Sequence, residues 1–150
     1  MTRVLPTTRD AYRHFITITT RWMDNDVYRH VNNVVYYSFF DTAVNEYLMR
    51  EGVLDLEQSP VVCLVVDSGC QFFGPIAFPD TVHCALRVAH LGNSSVRFEI
   101  GIFRNDESIA AAQGHFVHVA CDRQTQRPVS IPDAMRRVLD ALRMPAALEI

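Results

Sequence analysis

At 150 residues, 49% hydrophobic and 21% charged, the chain carries enough apolar sequence for one real core and too much for a disordered tail. A formal net charge of -3 excludes broad electrostatic capture of nucleic acid, and no apolar run approaches the ~18 residues of a membrane span. The first residues hold no apolar segment of secretory type, so the expectation is one domain over residues 1–150, cytoplasmic, with neither membrane nor nucleic acid as a partner.

In chain order, "FITITTRW" (15–22) is rich in β-branched residues and reads as a first strand. A polar turn follows. From Asn33 to about Met49, apolar residues fall at Tyr36, Phe39, Phe40, Ala43, Val44, Tyr47 and Leu48, the ladder of one helical face. At ~1.5 Å per residue the helix is roughly 25 Å long, so something broad must cover its aromatic stripe. Four strand-like runs supply that cover: 61–73, 81–91, 95–103 and 109–121, bounded by Gly74-Pro75, Gly92-Asn93 and "RNDES" (104–108). The second and third alternate cleanly, with Val82, Cys84, Leu86 and Val88 opposing His83 and Arg87, and Val96, Phe98, Ile100 and Ile102 opposing Arg97 and Glu99. Short turns between successive strands imply antiparallel neighbours. "IPDAMRRVLDALR" (131–143) closes the pattern as a short helix.

The class is therefore α+β, one long helix packed on a curved antiparallel sheet of about five strands. Burying that helix on two sides is hard for one such sheet, which predicts an open edge strand or a sheet continued across a dimer. Cys63, Cys70, Cys84 and Cys121 form no CxxC pair and read as buried thiols rather than a zinc knuckle or a disulfide framework.

Asp24, Asp26, His30, Asn32 and Asn33 fall within ten residues at the strand-to-helix junction. The first N–H groups of a helix have no partner there, and the macrodipole leaves partial positive charge, so such an end can polarise a carbonyl oxygen. Asn32 or Asn33 suits the N-cap. A carboxylate a few residues upstream would supply a base or nucleophile to the same spot, a layout for acyl transfer. Singly, each residue has a plainer use: Asp24 as a turn-former or hydrogen-bond anchor, Asp26 as a surface turn residue, His30 as a packed histidine, the asparagines as caps, Tyr36 as core. His115 and His118 read as structural. No metal is expected, because no further ligand cluster completes a shell around "DND" and His30.

What lifts these residues above their plainer uses is a resemblance. "RWMDNDVYRHVNNVVYYSFFDTAVNEYL" resembles the signature of the 4-hydroxybenzoyl-CoA thioesterase family of hotdog-fold proteins, often D-x-D-x-x-x-H-V-N-N-x-x-Y, and the similarity extends to "FFGPIAFPDTV" (72–82) and "RPVSIPDAMRRVL" (127–139). The resemblance implies a hotdog fold with subunits joined sheet edge to sheet edge, as a homodimer or homotetramer. It also implies hydrolysis of an acyl-CoA thioester without metal or cofactor, by Asp26 as the catalytic carboxylate. On the same ground the oxyanion donor is a backbone N–H at about Asn33, His30 and Asn32 position the reactants, and Tyr36 lines the acyl pocket. CoA's phosphates need basic partners, for which Arg87, Arg97, Arg104, Arg123 and Arg127 are candidates. A carrier-protein thioesterase, a hydratase and a non-catalytic acyl-CoA-binding module are the competing readings.

Overall fold

The computed structural model describes residues 4–144. Its elements run β1 (His14–Thr19), α1 (Asn33–Arg50), β2 (Val61–Phe72), β3 (Thr81–Leu91), β4 (Ser95–Arg104), β5 (Ala112–Asp122) and α2 (Asp133–Asp140), with single 3₁₀ turns at Arg9–Ala11 and Trp22–Asp24. The sheet order is β1-β3-β4-β5-β2, antiparallel throughout. Successive-strand pairing thus holds for β3/β4 and β4/β5 but fails for β2/β3. The Gly74-Pro75 segment is a crossover that leaves β2 on one edge and takes the chain to the far side, where β3 pairs with β1.

The apolar ladder read from the sequence is the buried face of α1. Tyr36, Phe39, Phe40, Ala43, Val44, Tyr47 and Leu48 are all buried, against Val82, Cys84, Leu86, Val96, Phe98, Ile100, Ile102 and Phe116 of the sheet. Each large apolar side chain buried in this way contributes about 1.5–3 kcal/mol before its entropy cost. Helix and sheet approach closely at Gly114, where a Cβ would clash with the Phe40 ring and the Gly69 carbonyl. Only glycine leaves room for that ring against β5. Register shifts at Val65/Asp67 and Val88/His90 mark bulges, which bend the sheet around the helix. The result is the hotdog arrangement, a long helix wrapped by a curved sheet. The sheet together with α2, which adds Met135 and Leu139 and accepts the Tyr47 hydroxyl at the Val138 carbonyl, buries the whole stripe within one chain.

Element ends depart from the sequence expectation for local reasons. β1 stops at Thr19 because the Thr20 N–H and hydroxyl both donate to the Asp80 carbonyl, and the chain then turns into Trp22–Asp24. β5 begins at Ala112 rather than 109, since the Ala111 carbonyl accepts from the Phe73 and Gly74 N–H groups. α2 is shorter than expected at both ends, capped by Pro132, with Met135 and Leu139 buried. The four cysteines are free: Cys84 and Cys121 are buried, Cys63 and Cys70 half-buried. Burial pushes the Cys63 thiol up to about 11 and the Cys70 thiol up to about 12, which keeps both protonated. No helix among the described residues is long and apolar enough to cross a membrane.

Candidate active site

Residues 24–32 fold as a miniature antiparallel ladder. The Asn32 N–H donates to the Asp24 carbonyl at 2.9 Å, Asn25 bridges Val31, and the Asp26 N–H donates to the His30 carbonyl at 3.0 Å. Asp26 and His30 form the closing rung, and Asn25 and Val31 the rung before it. That second rung is anchored to the 76–78 segment. Val31 is buried and its N–H donates to the Ile76 carbonyl at 2.7 Å, while the Asn25 side chain accepts from the Phe78 N–H at 3.0 Å.

The base of the ladder is an ion pair. Asp24 is 2% exposed, and its carboxylate accepts from the Arg21 backbone N–H at 2.7 Å and from the Arg21 guanidinium at 3.0 and 3.1 Å. The anchoring use of Asp24 is the one the fold makes. A buried carboxylate with several charge-assisted donors fixes its backbone, and through the Asp24 carbonyl it fixes Asn32.

Asn32 is the N-cap of α1, its side chain accepting from the Val34 N–H at 3.1 Å, and Asn33 is the first helical residue. The Val35 N–H returns to the Asn32 carbonyl. Asn33 is exposed, and its backbone N–H finds no acceptor among the described residues. The helix thus begins with one open donor where its dipole is most positive.

Asp26 is half-buried, and one carboxylate oxygen accepts from the Tyr28 N–H at 2.8 Å. Its rung lies about 7 Å along the ladder from the Asp24–Asn32 rung at the usual strand rise. His30 is exposed, with no hydrogen bond to its ring among the described residues. Tyr36 lies one turn into α1, 3% exposed, its ring edge-on to Phe72 at 4.9 Å and to Phe39 at 5.9 Å. Burial, helped by Cys70, pushes the Tyr36 phenol up to about 12, so it stays neutral. Tyr36 is therefore core, and Phe72, packed edge-on against it, is exposed. Trp22, Met23, Val27, Val34 and Phe78 are further exposed apolar side chains of the segments around the ladder. Sequence alternation does not single out Phe72, the last residue of β2.

Four of the five candidate phosphate partners are already engaged. Arg87 pairs with Glu99 at 2.9 Å and donates to the Ala11 carbonyl, Arg97 reaches Glu99 at 3.4 Å, Arg104 holds Asp80 at 2.7 Å, and Arg123 donates to carbonyls of the 55–57 turn. The Arg127 guanidinium has no such partner among the described residues.

A family model described as the thioesterase-like superfamily matches residues 20–139. Among solved structures, the PA5185 protein from Pseudomonas aeruginosa strain PAO1 superposes with a TM-score of 0.91 at 51% identity, over 94% of this chain and 99% of that one. PA2801, an inferred thioesterase from Pseudomonas aeruginosa, gives 0.77 at 28% identity, over 84% and 97%. The gentisyl-coenzyme A thioesterase BH1999 shares the fold, with a TM-score of 0.74 at 23% identity over 84% and 99%. No functionally curated protein matches the chain by sequence.

Proposed function

Since this chain belongs to the thioesterase-like superfamily, we propose that it is an acyl-CoA thioesterase of the 4-hydroxybenzoyl-CoA type, with Asp26 as its catalytic carboxylate. The observation that supports this reading is a half-buried carboxylate in the turn that leads directly into α1, whose first N–H, at Asn33, has no acceptor among the described residues. Hydrolysis needs both. The carboxylate attacks the thioester carbonyl, or takes a proton from the water that does, while the N–H receives the charge that develops on the carbonyl oxygen. One such donor is worth roughly 2.7–4 kcal/mol in the transition state, and a positioned base about 10²–10⁴-fold. A thioester is already activated, so these two contributions suffice without metal or cofactor.

His30 and Asn32 act as positioning residues, His30 beside Asp26 on the ladder and Asn32 by setting the pitch of the first turn. Tyr36, behind Phe72, shapes the acyl pocket. The partner subunit is a second copy of this chain along β2. That strand is an open sheet edge, and its exposed Leu64, Val65 and Val66 flank a bulge, apolar surface that a matching strand would cover.

The test is a thiol-release assay on short, long and aromatic acyl-CoA thioesters, run beside the same acyl groups on a carrier protein. Turnover of one CoA series with carrier-protein thioesters slower supports the reading. Tight binding without turnover would make the chain a binding module instead. A single turnover in isotopically labelled water separates the two routes, since label in Asp26 marks direct attack.

A further inference from the structure

Among the described residues, the non-glycine positions with positive φ are Arg29 (66°), Asn105 (48°) and Gln126 (60°). Asn tolerates this region through its short polar side chain, but arginine gains nothing local from it. Arg29 is held there because the 26–30 turn closes through the Arg29 N–H on the Asp26 carbonyl and the Asp26 N–H on the His30 carbonyl, both at 3.0 Å. A glycine would make the same turn without strain. Strain kept at a turn beside a reactive group points to a use for the side chain. The Arg29 side chain is exposed and, among the described residues, makes no ion pair or hydrogen bond, unlike Arg87, Arg97, Arg104 and Arg123. It stands three residues from Asp26, and a turn of this kind keeps the two Cα atoms within about 7 Å. An arginine side chain is long enough for a cation based there to meet a group several ångströms from the carboxylate. Tyr28, 80% exposed beside it, adds an aromatic face.

We propose that Arg29 binds a phosphate group of coenzyme A at the mouth of the site, its planar fork matching two phosphate oxygens. This assignment rests on the acyl-CoA thioesterase reading. It accounts for a cation kept at a strained position, and for recognition of a phosphorylated thiol by a chain of net negative charge.

The test is Arg29→Gly, which keeps the turn and removes the cation. The variant is expected to melt about 2–4 °C higher, because the strain is relieved, while KM for an acyl-CoA rises about 10-fold. The preference for the CoA thioester over the pantetheine thioester of the same acyl group, which has no phosphate, collapses. Binding of adenosine 3′,5′-bisphosphate, followed by calorimetry, weakens in parallel. A variant that melts higher with KM and bisphosphate affinity unchanged overturns the proposal, as does an equal rise in KM on the pantetheine thioester. If the wild-type chain cleaves no thioester, the hydrolase reading falls, and the bisphosphate titration still decides Arg29: dependence on it upholds the assignment, and independence overturns it.

Discussion

The Asp24 carbonyl accepts the Asn32 N–H at 2.9 Å, so the residue that clamps Arg21 also fixes the cap of α1. One buried carboxylate therefore sets both the 24–32 ladder and the start of the helix. Asp24→Ala leaves the Arg21 backbone N–H without its acceptor and frees the ladder at its base. Arg21 is largely exposed, so the cost is set below that of a fully buried pair, at about 2 kcal/mol. A fall in melting temperature of about 4–8 °C in a thermal scan checks this. Activity should fall with it even at temperatures where the variant is folded.

His118 supplies a pH dependence of stability. It is 4% exposed, packed between Phe98 and Phe116 with neither ring nitrogen hydrogen-bonded among the described residues, and burial pushes its pKa down to about 4. The unfolded chain takes a proton near pH 6.5 that the folded core refuses. Stability is therefore intact above 6.5, is lost as pH falls from 6.5 toward 4, and stops falling on this account below 4, where both states are protonated. The loss is about 3 kcal/mol. Denaturant midpoints across pH 4–7 should show the slope in the wild type, and His118→Phe should flatten it by that amount.

Phe72 is edge-on to Tyr36 and exposed, so on the proposed reading it is the member of the pair open to an acyl group. Phe72→Ala removes an aromatic contact worth about 0.5–1.5 kcal/mol beyond its area. KM for an aromatic acyl-CoA should rise about 5–10-fold, with a smaller rise for a short aliphatic one. Equal effects on both would remove Phe72 from the pocket.

The exposed edge of β2 gives a further expectation. Val65→Asp combined with Val66→Asp places charge on the bulge that a second copy would cover. Sedimentation velocity should show the wild type as a dimer or larger and the double variant as a monomer.

Much of the fold is readable from the residues because it rests on periodicity. The stripe from Tyr36 to Leu48 and the alternation in 81–91 and 95–103 follow from a core that admits one face of each element. The pairing of β2 with β5 carries no such signal, since a run ending in Gly74-Pro75 looks the same whether it turns back or crosses over. The site is legible in part. Asn32 as cap follows from helix-end chemistry. The ladder of 24–32 does not, because backbone bonds between polar residues make it, and neither its length nor its alternation resembles a strand. The positive φ of Arg29 is equally silent, being a property of the turn and not of the side chain.

The central claim is that the Asp26 carboxylate performs the chemistry, and Asp26→Asn tests it most directly. Asn keeps the oxygen that accepts the Tyr28 N–H, so the turn survives and only the charge is lost. Steady-state hydrolysis of the best acyl-CoA substrate should show kcat lower by about 10²–10⁴-fold with the melting temperature unchanged. A folded Asp26→Asn variant hydrolysing at the wild-type rate would contradict the account.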